Sequence, residues 1–345
     1  MAITLYLHIG YPKCGSTTIQ EALYENRKVL RAMGYGVCGR TLDLLGPRSK
    51  LWFPVGYFKS HLDAARDGNA PDMEPEFKAL HARAAAAGLH SVVISAENLS
   101  AVQAPGLLAS AKKYFDCRVI FYFRRQDDWL TSSWAQWQFK GGEGLTAFVR
   151  RRLSMPDKLL FRPVLESYLE HFARDVFRVR LLSGKYLTGG DLCSDFWHAV
   201  GIDGGLMQRV VSRNVSFSTQ LAGVLKESPY LFEDAHDNEL TGFIDEQHKG
   251  RRGAKKDALS HDMRAEILDF FKNENDWLET TFFQGGGLGD WLKLPDTGPS
   301  ALKPDLAALD DASLRGVSEL LNLNMVVLKE LRQDVDKIKR ALGIK

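Results

Sequence analysis

At 345 residues, with 45% apolar and 26% charged residues, the chain has the make-up of a soluble globular protein and the length of one large domain or two ordinary ones. A formal net charge of +2 gives no whole-chain case for a nucleic-acid partner, so a phosphorylated ligand would need only a local basic site. Cys14, Cys38, Cys117 and Cys193 form no C-x-x-C pair and no Cys/His cluster with zinc spacing, which points to reduced thiols in a cytoplasm. The first residues lack the basic and apolar regions of a signal peptide, and no apolar run approaches the roughly 20 residues a membrane helix needs.

Residues 3–9 are mostly apolar and end in Gly10, which predicts a buried strand. A glycine-containing loop follows, then helical periodicity from Thr18 to Ala32 through Ile19, Leu23 and Leu30. Residues 34–75 carry Gly, Pro and aromatics without clear period, including Trp52-Phe53-Pro54-Val55-Gly56-Tyr57, and read as an irregular insertion of the kind that shapes substrate specificity. Ser91–Ser95, Val119–Phe123 and Val176–Leu182 are further strands, with helical patterns at Ala104–Phe115 and Asp127–Phe139. Residues 157–280 read as mainly helical. Strands alternating with helices predict an α/β fold: a P-loop-like parallel sheet flanked by helices.

Residues 284–305, with three glycines from Gly285 and then Pro295, Pro299 and Pro304, read as a linker. Beyond it Leu314, Leu321, Leu328, Val335 and Leu342 recur every seven residues, and Val317, Asn324, Leu331 and Ile338 fill the complementary positions. The narrow stripe suits a coiled-coil seam with Asn324 fixing register, and so a homo-oligomer; a single amphipathic helix docked on its own domain is the alternative. The predicted organisation is a domain over 1–283, a linker over 284–305 and a coiled-coil helix over 306–345.

The stretch Gly10-Tyr11-Pro12-Lys13-Cys14-Gly15-Ser16-Thr17-Thr18 joins the first strand to the first helix. Such a loop presents unpaired backbone N–H groups and the positive end of the helix dipole. Gly15 lets the backbone approach a ligand, Ser16, Thr17 and Thr18 add hydroxyl donors, and Lys13 adds a point charge. Together they suit a phosphate or phosphosulfate. Gly10 and Gly15 have the spacing of a Walker A loop, but Ser16 stands where its lysine belongs and the lysine lies at position 13. No apolar strand ending in Asp is evident to hold magnesium. Both departures weigh against ATP hydrolysis.

Pro12-Lys13-Cys14-Gly15-Ser16-Thr17-Thr18 resembles the 5′-phosphosulfate loop of the sulfotransferases that use 3′-phosphoadenosine 5′-phosphosulfate (PAPS), and Arg125-Gln126 and Ser95-Ala96-Glu97-Asn98-Leu99 resemble a bacterial branch of that family. Cys14 stands where that family more often has Thr or Ser. The resemblance implies a second grip on the donor's 3′-phosphate, from an Arg and a Ser eight residues apart. Arg124 and Ser132 match, Arg124 directly following the apolar run; Arg125 with Ser133 fits by count. A guanidinium is a permanently charged fork matched to phosphate oxygens. Lys249-Gly250-Arg251-Arg252-Gly253-Ala254-Lys255-Lys256 reads as a solvated charge run or as a loop closing over that phosphate.

The resemblance further implies that Lys13 stabilises the leaving oxygen, that PAPS is the donor and PAP the product, and that no metal is required. The acceptor hydroxyl needs a base. Glu97, in Ser95-Ala96-Glu97-Asn98-Leu99 just past a core strand, is the candidate, with His8 and His61 as weaker alternatives. The acceptor class suggested by analogy is a carbohydrate or glycolipid. Two other readings stay open: a P-loop kinase or phosphotransferase, and a non-catalytic assembly protein that retains the cradle.

Overall fold

The computed structural model describes residues 2–46, 50, 53–155, 160–209, 219–247, 259–284, 287–294 and 311–343. In chain order they form β1 (Ile3–Ile9), α1 (Ser16–Glu25), α2 (Arg27–Ala32), β2 (Tyr35–Val37), α3 (Val55–Arg66), α4 (Glu74–Ala86), β3 (Ser91–Ala96), α5 (Ala104–Leu108) and β4 (Phe115–Phe123). Next come α6 (Gln126–Trp134), α7 (Leu145–Leu153), α8 (Arg162–His171), β5 (Phe177–Leu181), α9 (Leu192–Ala199), α10 (Thr219–Leu225) and α11 (Glu239–Gln247). The last are α12 (His261–Phe270), α13 (Lys272–Leu278), α14 (Leu288–Leu292) and α15 (Asp311–Ala341).

The five strands form one parallel sheet in the order β2-β3-β1-β4-β5. Leu5, Leu7, Ile9, Val92, Ile94 and Val119 to Phe123 are all fully buried, because helices cover both faces. That is why β3, most of β1 and the end of β4 read as apolar runs, whereas β5 alternates with Arg178 and Arg180. The chain passes from β3 on one side of β1 to β4 on the other, so the direction of winding reverses at β1. Crevices that take ligands in such sheets open at this reversal, beyond the carboxyl ends of the strands.

The predicted α/β parallel sheet is therefore what the chain forms, with local corrections. The expected helix from Thr18 to Ala32 is two helices broken at Asn26, a buried residue that bonds across the break. Its Nδ2 donates to the carbonyls of Ala22 and Gln208, both at 3.0 Å, and its Oδ1 accepts from the N–H of Gln208 at 2.6 Å. The insertion read as irregular holds the edge strand β2 and the 12-residue helix α3, which buries Phe58 and Leu62; residues 47–49 and 51–52 lie outside the described set. β4 starts at Phe115, where an exposed Asp116 and a half-buried Arg118 alternate with buried neighbours and mask the strand in the sequence. The described part of 157–280 is mainly helical, and the strand expected at Val176–Leu182 is β5. The basic run from Lys249 to Lys256 falls outside the described residues, as do 285–286 and 295–305 of the expected linker.

The chain divides into two compact units. The first comprises 1–125, 159–215 and 273–288 and holds the sheet. The second comprises 126–158, 216–272 and 289–345 and is helical in its described part. Within it the buried Asp127 of α6 is paired with Arg264 of α12. The buried Lys140 donates to Asn238 Oδ1 at 2.8 Å and to the Ala235 carbonyl at 3.2 Å.

Candidate functional site

The register of the sheet places the site residues. Ile9, the last residue of β1, pairs with Ala96, the last of β3. Gly10 and Glu97 therefore leave the sheet at the same level. A Cβ on Gly10 would lie 3.0 Å from Ser16 Cβ, a tight approach, and at an ordinary 3.5 Å from Glu97 Cα, so the return of the loop at Ser16 favours glycine there.

The loop then turns sharply. The N–H of Cys14 donates to the Tyr11 carbonyl at 3.1 Å, and Lys13 and Gly15 both take the left-handed conformation at φ 66° and 82°. Alternation of this kind orients successive backbone N–H groups toward one point, which makes an anion-binding concavity. Gly15 is the N-cap of α1 and no side chain caps the helix. The bond from Ile19 N to Gly15 O at 3.1 Å opens α1, and the leading N–H groups of a helix point out of its first turn. Ile19, Ala22 and Leu23 bury the inner face of α1 and hold this end in place. The predicted cradle is present as backbone geometry.

Its side chains divide. Thr17 is exposed and Lys13 half-buried, while Ser16 and Thr18 are buried. Cys14 is turned into the core. Burial raises its thiol to about 12, against the opposing pull of the Arg124 charge and backbone N–H. Cys14 thus shapes the loop from within, and only its backbone is placed to serve a ligand. The remaining cysteines are unpaired as well.

Ser16 Oγ donates to Glu97 Oε2 at 3.1 Å, which puts an exposed carboxylate beside the cradle. Glu97 opens a short turn, Glu97–Ser100, anchored at Asn98 and Leu99 and closed on itself by Ser100. Asn98 Nδ2 donates to the Val55 carbonyl at 2.7 Å, Tyr168 Oη to the Leu99 carbonyl at 2.8 Å, and Ser100 Oγ to the Glu97 carbonyl at 2.7 Å. Arg124, at the end of β4, donates from Nη1 to the Lys13 carbonyl at 3.2 Å. A guanidinium has five donors, so this bond leaves capacity for an anion. The structure brings Lys13, Ser16, Glu97 and Arg124 together in the first unit. Ser132 lies in the second unit, on α6, with its side chain buried beside an equally buried Ser133.

The two histidines fare differently. His8 is fully buried. Its Nδ1 shares a 2.8 Å hydrogen bond with Ser95 Oγ, Nε2 has no partner, and Tyr122 and Phe196 pack edge-on against the ring. Burial pulls its pKa down to about 3, so at neutral pH it is uncharged and sealed from any acceptor. It is not the base. His61, on α3, bonds through Nδ1 to the Tyr57 carbonyl at 2.7 Å within its own helix.

One supporting network carries no local signal in the sequence. Asp195 of α9 is fully buried and accepts from Tyr122 Oη at 2.9 Å, Arg180 Nε at 2.9 Å and the Thr188 N–H at 2.8 Å. Burial alone would raise its pKa, but the Arg180 guanidinium and these donors outweigh burial and hold the carboxyl below its ordinary range. The network pins α9 to β4 and β5. It thereby sets Leu192, one turn earlier, against Gly15: a Cβ on Gly15 would come within 2.2 Å of Leu192 Cδ2.

No family model matches the chain, and no curated protein matches it. Among solved structures it is similar to the crystal structure of a sulfotransferase from Alicyclobacillus acidocaldarius, at 13% identity and a TM-score of 0.42, over 85% of this chain and 100% of that one. So remote a likeness decides nothing about chemistry, which rests on the residues themselves. Among the described residues no helix is long and apolar enough to cross a membrane.

Proposed function

We propose that the chain is a PAPS-dependent sulfotransferase acting on the hydroxyl of a carbohydrate or glycolipid in a reducing, cytoplasmic setting. The observation that carries the reading is the convergence of Lys13, Ser16, Glu97 and Arg124 at the carboxyl ends of three adjacent parallel strands, over a helix start with no side-chain cap.

In this reading the backbone of residues 14–17 seats the 5′-phosphosulfate, aided by Thr17 and Thr18 and by the Ser16 hydroxyl, whose one proton turns from Glu97 to the donor. Arg124 takes the 3′-phosphate. The acceptor oxygen forms a new bond to sulfur as the bond from sulfur to the 5′-phosphate oxygen breaks. The acceptor proton passes to Glu97, and the negative charge left on the phosphate oxygen is met by Lys13. Nearly all the catalysis is positioning and electrostatic stabilisation, and no protein covalent bond is required. The charges are divided to match: cations and N–H dipoles surround the donor, while the carboxylate stands at the rim, where the acceptor must enter.

Calorimetric titration with PAP tests the assignment. PAP should bind without magnesium, and Lys13→Ala and Arg124→Ala should each weaken binding by about tenfold or more, the loss of one charge-assisted contact. Undiminished binding in both variants refutes the site. Magnesium-dependent ATP turnover in place of PAP binding would make the chain a phosphotransferase.

A further inference from the structure

The helix α15 carries two separate faces. Met325, Lys329, Arg332 and Asp336 are half-buried and share one side of it. On that side Lys329 Nζ donates to the Leu231 carbonyl at 2.6 Å and lies 4.0 Å from an Asp237 oxygen. The Arg332 guanidinium sits 4.9 Å from the centre of the Phe243 ring and 4.0 Å from Glu239. The helix is thus docked on its own unit by polar and cationic side chains.

The heptad stripe lies elsewhere. At 3.6 residues per turn it is centred about a quarter-turn from the docked face. Leu321, Leu328, Leu331, Val335, Ile338 and Leu342 are 46–67% exposed, and so is Val327 beside them at 53%. An apolar stripe broken only by Asn324 and left in water from Leu321 to Leu342, while the face carrying Lys329 and Arg332 makes the docking contacts, inverts the arrangement of an ordinary surface helix.

We infer that this stripe is covered by the same stripe of another copy of the chain, in a parallel, in-register coiled coil, while each helix stays docked on its own unit. Two features select that occupant. In a parallel in-register pair Asn324 meets Asn324 of the other copy in one layer, so each amide has a hydrogen-bonding partner; most shifted or antiparallel registers bury it against leucine or valine. Asp334 and Lys339 occupy the g and e positions that face each other across such a pair, opposite in charge. An antiparallel pair flanks the seam with e against e and g against g, and loses that attraction. Leucine at the first seam position, with Val317 and Ile338 at the second, does not confine the assembly to two strands. The inference stands apart from the transferase reading.

Light scattering on the full chain tests it. The mass at tens of micromolar should be at least twice the 38.7 kDa of one chain. Leu331→Glu with Ile338→Glu, both on the exposed stripe and away from the docking contacts, should return it to 38.7 kDa with an unchanged helical circular dichroism signal. A wild-type mass of one chain, or an oligomer untouched by the double substitution, overturns self-association through this seam. Leu342→Cys fixes the direction. Parallel copies place the two thiols in one layer, so mild oxidation should link chains in pairs beyond the wild-type background. An oligomer whose Leu342→Cys form fails to link refutes the parallel register.

Discussion

Gly15→Ala is the sharpest probe of the cradle, because its cost divides into two parts that can be measured separately. The first is conformational. At φ 82° an alanine carries the left-handed penalty of roughly 1–2 kcal/mol. The second is steric. The new methyl would stand 2.2 Å from Leu192 Cδ2, which must swing aside. Leu192 is half-buried and its end is mobile, so the overpacking term belongs near the lower end of the usual range, roughly 1 kcal/mol. Gly15→Ala should therefore lower unfolding stability by about 2–3 kcal/mol, and Leu192→Ala in the same chain should return only the steric part. A urea-melt double-mutant cycle should give a coupling of about 1 kcal/mol between the two positions. PAP binding should stay impaired in the double variant, since re-aimed N–H groups are not repaired by making room. A Gly15→Ala chain with the wild-type midpoint, or full rescue of both stability and PAP binding by Leu192→Ala, would refute the left-handed cradle.

Two further substitutions separate roles that otherwise look alike. The Glu97 carboxylate, in hydrogen-bond reach of Ser16, opposes any anion in the loop; solvent screening reduces that repulsion to about 1 kcal/mol. Glu97→Gln should accordingly tighten PAP binding by about fivefold while lowering sulfuryl transfer by roughly 10²–10⁴-fold, the span expected for a lost general base. Weaker PAP binding in that variant would instead make Glu97 a support for the loop. The Asp195 carboxyl is held below its ordinary pKa, so its stabilisation is complete above the unfolded value, about 3.9, and is lost as pH falls through that value toward the folded one. Asp195→Asn should cost about 2–3 kcal/mol at neutral pH, with Arg180 left only partly solvated, and should flatten the decline of the thermal midpoint below about pH 5. A variant whose acid limb matches the wild type would remove Asp195 from the acid response.

Much of this arrangement is legible in the sequence, and the gaps have physical causes. β3 and the carboxyl ends of β1 and β4 are buried on both faces, so their continuous apolar runs announce them. β2 is three residues at a sheet edge, too short for any period to register. The break at Asn26 depends on Gln208, far along the chain, and no local pattern records a partner at that distance. Lys13 and Glu97 stand out because a loop lysine before a glycine and hydroxyls, and a carboxylate just past a core strand, are local features. Leu192 and Asp195 do not, since their importance arises only when α9 is laid against the loop. Cys14 is legible only in part. Its place in the motif suggests a ligand contact, and only packing reveals that the thiol faces inward.

The meeting of Glu97 with Ser16 depends on β1 and β3 pairing in one register. Parallel apolar strands are poorly discriminating by themselves, because Leu5, Leu7, Val93 and Ile94 would pack acceptably after a slip of two residues. His8 and Ser95 do discriminate. They are register partners, and the ring and hydroxyl bond at 2.8 Å in the core. A two-residue slip would set His8 against Val93 and leave both polar groups buried without a partner, at roughly 1–3 kcal/mol each. The same slip would carry Glu97 about 6–7 Å along the strand axis, out of reach of Ser16. Burial keeps the imidazole uncharged at neutral pH. Its contribution is to fix the level at which the carboxylate leaves the sheet.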